Sequence, residues 1–260
     1  MKKTIQRFFY AWIFLTRLPA PPLPKATEKD WGRISPYFTL IGFIIGGILF
    51  AFSVLFKKLD VPVLFSSLCL VLLWILITGN LHMDGLMDTF DGVGCTKEER
   101  KIEAMKDSRI GAFGATAGIF VILFKLVTLT TVLLNSLYFV IFLTPSLARL
   151  VSVYSLSFLD SNHNKGVSSS LLLNGVKKPQ DFIFNLFTFI VIFFLTIYFY
   201  HLPSAICLSI IILISFFICL ICSYALSKHF KGHSGDTYGA LIELSEVTVL
   251  VLAVFLRTNF

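Results

Sequence analysis

Three aspartates, Asp84, Asp88 and Asp91, lie in the segment GNLHMDGLMDTFDGVGC at residues 79–95. Spacing of i, i+4 and i+7 puts all three on one face of a helix, about one turn apart. Like charges so placed repel each other, and an apolar setting strengthens the repulsion. A cation relieves it. Magnesium is held by one or two carboxylates, waters and the phosphate oxygens of a substrate. The segment therefore reads as a divalent-metal site for phosphate chemistry, rather than a polar loop with aspartates at turns and caps. Gly85 and Gly92 leave room for a ligand or a second backbone. His82 reads equally as a donor to the site and as a structural histidine.

Two further segments carry chemistry. In ERKIEAMKDSRIGAFGATAG, residues 99–118, the early charges read as a solvated helix face. Lys106, Asp107 and Arg109 differ, because they abut an apolar run where charge is expensive. Arginine binds phosphate through two parallel N–H groups and lysine as a point charge. Asp107 suits a metal ligand or a base. Gly111, Gly114 and Gly118, like Gly42 and Gly46, read as small residues for close helix packing. In GHSGDTYGALIELSEV, residues 232–247, Asp236 reads first as a helix cap, while Glu243 and Glu246 share a face inside an apolar run. Carboxylates there are functional or paired. Arg149, after Pro145, is a natural partner or a phosphate ligand. Lys125 pairs with a carboxylate or faces a cavity, and the sequence does not choose.

The elements that position these residues must be membrane helices. The 260-residue chain is 56% hydrophobic and only 14% charged, with a mean hydropathy of +0.84. A soluble domain carries about 25% charge, so lipid must solvate the excess apolar surface. Only helices and closed barrels satisfy their backbones in lipid, and these apolar runs are continuous rather than alternating. Seven runs reach spanning length, at residues 34–56, 62–78, 110–134, 137–158, 182–200, 204–226 and 238–256. Residues 5–18 read as a short amphipathic helix without a signal-peptide cleavage site. The five cysteines imply no disulfide framework, and Cys219 and Cys222 read as small buried residues. No internal repeat is visible, and the chain reads as one domain.

With seven spans, the long connections at 79–109, 159–181 and 227–237 share the side of the N-terminus. Most of the 22 basic residues lie there, which places that side in the cytosol. The net charge of +7 is then orientation charge and calls for no nucleic acid. Asp160, Asn162, His163, Asn164 and Lys165 read as a solvated loop, with a substrate lid as the sharper alternative. Charges gathered at one face favour a metal-dependent transferase acting on a phosphoanhydride at the membrane surface. An ion-coupled transporter, the rival class, concentrates charge near the midplane.

The motif GNLHMDGLMDTFDG resembles the signature of the cobalamin synthase, or adenosylcobinamide-GDP ribazoletransferase, family. The likeness continues through FLTRLPAP at 14–21, MKDSRIGAFG at 105–114, TPSLARL at 144–150 and GDTYGALIELSEV at 235–247. Asn80 stands where the family usually has glycine, and Met87 and Phe90 replace small residues. The resemblance implies a multi-pass enzyme in the cytoplasmic membrane of a bacterium or archaeon, with its active site facing the cytosol. It would join α-ribazole, or its 5′-phosphate, to adenosylcobinamide-GDP, releasing GMP with magnesium. By motif matching, Asp84, Asp88 and Asp91 become metal candidates. Asp84, Lys106, Asp107 and Arg109 become catalytic candidates, and His82, Arg149, Asp236, Glu243 and Glu246 contact substrate. Membrane lipid is the other expected partner, and homo-oligomerisation is left open. The aspartate spacing is also similar to that of the CDP-alcohol phosphotransferases, but the arginine after their first Asp-Gly is absent here.

Overall fold

The computed structural model describes residues 2–161, 175–198 and 202–257. Among them it is all-helical, with a single isolated bridge between Ser161 and His233. Asn162, His163, Asn164 and Lys165, named above as a loop or lid, fall outside the described residues.

The chain opens with α1 (Lys2–Leu15), a short α2 (Glu28–Trp31) and a 3-10 turn (Ser35–Tyr37). Then come α3 (Phe38–Lys58), α4 (Val63–Thr78), α5 (Leu81–Val93) and α6 (Glu98–Ala104). The remainder is α7 (Ala112–Leu134), α8 (Tyr138–Phe158), α9 (Gln180–Tyr198), α10 (Leu202–Phe230) and α11 (Gly235–Arg257). Six stretches, carried by α3 and α7 to α11, are long and apolar enough to cross a membrane. Taking α4 with α5 adds a seventh, although that pair is bent by 90°. Large apolar side chains such as Leu72 on α4, Phe187 and Phe194 on α9 and Ile221 on α10 are exposed. They face lipid, where exposure costs nothing.

The central helix is α8, most of which is buried. It packs along α3, α9, α10 and α11. Small residues let the α3 and α8 backbones touch: a Cβ on Gly42 or Gly46 would collide with the backbone of Pro145, Ser146 or Phe142. Ser146 donates to the Thr39 carbonyl at 3.2 Å across the same contact. The expected packing role of Gly42 and Gly46 is thus realised.

The bend between α4 and α5 has a local cause. Gly79 and Asn80 both adopt left-handed conformations, with φ of 62°. Their N–H groups close α4 by donating to Leu76 and Ile75 carbonyls, and the chain leaves in a new direction. Asparagine tolerates this region better than other residues with a Cβ, so Asn80 fits the turn. The Arg17 side chain covers Gly79, and the Arg17 backbone N–H donates to the Ile77 carbonyl at 2.7 Å. The segment after α1 is thereby fixed to the bend. While α4 packs along α3 and α7, α5 turns off by 90° and packs on α7 and on the start of α11.

The same end gathers the other long connections. Beyond α8, the Asp160 carbonyl accepts from the N–H of His233, just before α11. The short connections mark the opposite end, where Lys57 lies over the Tyr138 ring and 3.5 Å from the Ser136 hydroxyl.

Candidate active site

The site begins where α5 crosses the start of α11. Gly85 makes the crossing close, since a Cβ there would lie 2.8 Å from the Asp236 carbonyl oxygen. Gly239 faces the His82 backbone in the same way. The contact brings Asp236 beside the aspartate face of α5. A cavity of about 240 Å³ opens there, lined by His82, Asp84 and Asp236 among the polar groups and by Phe14, Phe38 and Tyr238 among the aromatic ones. Helix α1 thus closes one wall, a role that its amphipathic pattern did not announce. A larger groove of about 560 Å³ beside Phe113, Phe120 and Phe124 carries no charged group and faces outward. It suits lipid, not chemistry.

Each of the three aspartates on α5 has a different setting. Asp84 is exposed and reaches the cavity. Asp88 is half-buried, and its carboxyl is pushed up to about 6, first by burial and then by the charges of Asp84, Asp236 and Asp91. Asp91 turns both oxygens to the start of α7, accepting from the N–H groups of Gly111 and Gly114 at 2.8 Å each. It satisfies two of the backbone donors that every helix N-terminus leaves open. Gly111 and Gly114 are bare so that this carboxylate can approach: a Cβ on either would strike it. Among the described residues, no group of three or more His, Cys, Asp or Glu side chains closes into a metal cage. The donor set instead fits a hard cation held by one or two carboxylates, with water and substrate oxygens completing its shell.

Asp236 is not the cap of α11. Ser234 and Thr237 cap the helix reciprocally, which leaves Asp236 in the first turn, on the cavity wall. Behind it runs a polar chain that sequence reasoning missed. The buried His233 ring meets the Ser223 hydroxyl at 3.3 Å and the Thr237 hydroxyl at 3.1 Å, and it stacks on Tyr238. Ser223 contacts Ser155 in turn, so α8, α10 and α11 are joined. The histidine lies in the same GHSGD segment as Asp236, and nothing in its spacing announces the buried hydroxyl partners.

Beneath the cavity lies a buried ionic network. Lys125 donates to Glu243 at 2.7 Å and to Glu246 at 2.6 Å, with its ammonium 4.4 Å from the centre of the Trp74 ring. Arg149 pairs with the other oxygen of Glu246 and donates to the Pro145 carbonyl. A second guanidinium nitrogen lies 3.3 Å from Nδ1 of His82. Two cations therefore meet two carboxylates, and Lys125 finds the carboxylate partner that the sequence left open. Glu243, Glu246 and Arg149 are all buried, and none of them lines the cavity. Among the described residues, the hydrogen bonds connect them to it through His82.

Lys106, Asp107 and Arg109 occupy the exposed connection between α6 and α7. Arg109 grips Asp107 through Nε and a terminal nitrogen, at 3.1 and 2.8 Å. These bonds hold the Asp107 carboxyl down at about 2. The connection ends at Gly111, against Asp91. None of the three residues lines the cavity.

The motif segments thus converge from distant parts of the chain. The cobalamin-5-phosphate synthase family matches residues 7–254. The chain belongs to that family. Adenosylcobinamide-GDP ribazoletransferase of Thermoanaerobacter pseudethanolicus is 34% identical over 95% of this chain and 96% of its own length. The enzyme of the same name from Clostridium botulinum strain Okra is 34% identical over 97% and 98%, and that from Clostridium tetani 32% over 99% and 100%. No solved structure matches the chain. The synthase match takes in every candidate residue named above, from His82 to Glu246.

Proposed function

We propose that this chain is an adenosylcobinamide-GDP ribazoletransferase. It moves the cobinamide-phosphate moiety onto a hydroxyl of α-ribazole, or of its 5′-phosphate, and releases GMP. The carrying observation is the cavity at the α5–α11 crossing, where the family's motif segments bring two aspartates and a histidine to one wall.

At about 240 Å³ the cavity is smaller than the roughly 300 Å³ at which sites for drug-sized ligands begin. It fits the reacting diphosphate end, and the corrinoid stays outside it, at the membrane surface. A bound magnesium ion would neutralise the diphosphate and polarise the phosphorus under attack. Asp84 and Asp88 would hold it. Asp91 keeps α7 in register beside them. Asp236, at the start of α11, borders the acidic face of α5 and lies where a carboxylate can take the proton of the acceptor hydroxyl. Phe14, Phe38 and Tyr238 keep water from the back of the cavity. On the nearby loop, Lys106 and Arg109 supply positive charge to the part of the nucleotide that protrudes, Arg109 by exchanging Asp107 for phosphate. We place this face on the cytosolic side of a cytoplasmic membrane, from its excess of basic residues.

The test is direct. The full chain, purified in detergent, receives adenosylcobinamide-GDP, α-ribazole and magnesium. GMP and a cobamide should form in equal amounts, a chelator should stop the reaction, and added magnesium should restore it. Absence of both products overturns the transferase reading, and turnover undiminished by chelation overturns the metal assignment.

A further inference from the structure

His82 is buried, and its Nε2 has no hydrogen-bond partner among the described residues. An unpaired polar atom inside a protein costs about 1–3 kcal/mol and calls for an explanation. The other ring nitrogen supplies one. Nδ1 faces a terminal nitrogen of Arg149 at 3.3 Å, and a guanidinium has donors and no acceptor. Nδ1 must therefore accept. The ring hydrogen is left on Nε2, which makes that atom a donor with nothing to donate to.

Arg149 has little freedom to reverse this assignment. Its other terminal nitrogen is held by Glu246 and by the Pro145 carbonyl, and Lys125 fixes Glu246 from the far side. The chain Lys125–Glu246–Arg149–His82 thus runs from α7 through α11 and α8 to α5 and sets the tautomer of a residue on the cavity wall. Asp84 and Asp236 share that wall, and neither bonds Nε2.

We propose that His82 donates its Nε2–H to an anionic oxygen of the phosphoanhydride bound in the cavity, with Arg149 as the positioning residue that fixes the tautomer. The proposal rests on the transferase reading above and gives one of its residues an atom and a direction. In this tautomer Nε2 cannot take a proton from the acceptor hydroxyl, so His82 is a donor to substrate and not the base of the reaction.

Two variants of the full chain separate this from a structural histidine. His82→Gln keeps an amide N–H near the place of Nε2, whereas His82→Asn reaches only as far as Nδ1. Both lose the ring. A donor role predicts that His82→Asn lowers kcat/KM for adenosylcobinamide-GDP by about 10²-fold, as loss of one transition-state donor does. His82→Gln should stay within about tenfold of wild type on the same scale. Equal losses in the two variants overturn the proposal. Two readouts do not depend on turnover. Calorimetry with adenosylcobinamide-GDP and no α-ribazole should show weaker binding in the Asn variant than in the Gln variant. Nitrogen-15 spectra of histidine-labelled protein, assigned by loss of the signal in His82→Gln, should show the hydrogen on Nε2. A hydrogen on Nδ1 overturns the proposal even if the enzyme turns over. If wild type releases no GMP, the transferase reading fails, and the spectroscopic arm still decides which ring nitrogen of His82 carries the hydrogen.

Discussion

Asp88 sits half-buried among three other carboxylates, and its own carboxyl rises to about 6 in consequence. Such an arrangement opposes folding unless a cation is bound, and residues kept at a cost to the fold are those that function needs. Asp91, on the same helical face, is the contrast, since both of its oxygens are spent on the N-terminus of α7. The three aspartates should therefore separate under mutation. Asp84→Asn and Asp88→Asn should lower GMP release by about 10²-fold or more, the scale of losing charge stabilisation at a reacting phosphate. In chelator, Asp88→Asn should unfold at or above the wild-type temperature, because a repulsive charge is gone. Asp91→Ala should instead lose about 1–2 kcal/mol of stability, as lost helix caps do. Thermal unfolding in detergent beside the GMP assay reads all three. A destabilised Asp88→Asn with normal turnover would invert the assignment. The sequence showed the shared face through the period of the helix. It did not show the division of labour, because that depends on Gly111 and Gly114, some twenty residues away, presenting their N–H groups to one aspartate only.

At the scale of elements, two buried clusters hold the helices that form the site. Lys125 joins α7 to α11 through Glu243 and Glu246, and Arg149 joins α8 to Glu246. Removing one member of such a network leaves an uncompensated buried charge and typically costs about 3–5 kcal/mol, whereas removing charge in pairs is far milder. Lys125→Met alone should therefore destabilise strongly, and Lys125→Met combined with Glu243→Gln should recover much of the loss. A double-mutant cycle on thermal unfolding measures it, and additive losses would show that the pair is not coupled. The second cluster centres on His233, between α10 and α11, where burial holds the imidazole down at about 4. The fold thus favours the neutral ring. Below about 6.5 the unfolded chain binds a proton that the folded chain refuses until about 4, so stability falls as pH drops through that window. The unfolding temperature of wild type should drop between pH 6.5 and 4, and that of His233→Gln should be flatter. The helices themselves were legible, because uninterrupted apolar runs of spanning length allow few other readings. The 90° turn after α4 was not. It depends on two successive left-handed residues, Gly79 and Asn80, which drew notice only as part of a motif. The partner of Lys125 was not legible either, since it lies 118 residues away in the chain.

At the scale of the molecule, the end of the bundle that carries the cavity also carries the N-terminal segment, α5, α6 and the approach to α11, while Lys57 and Ser136 mark the other end. Segments rich in lysine and arginine stay on the cytosolic side, and most of the basic residues flank the cavity end. Sequence alone predicted this division, because the parity of the spans and the charge of the loops agree. The hydrogen bond from the His233 N–H to the Asp160 carbonyl brings two of these connections together at one end. The prediction concerns sealed vesicles. In a cysteine-free background, Lys97→Cys, in the exposed connection before α6, and Lys58→Cys, at the exposed end of α3, lie at opposite ends of the bundle. A maleimide that cannot cross the membrane should label Lys97→Cys in inside-out vesicles and Lys58→Cys in right-side-out ones. Labelling of both from one side would mean that the bundle does not cross as described. The reversed pattern would keep the fold and turn the cavity outward, which overturns the cytosolic placement proposed above. Orientation therefore bears on chemistry as well as on topology. On the proposed reading, a cavity that takes only the diphosphate end must open toward the compartment that supplies the nucleotide.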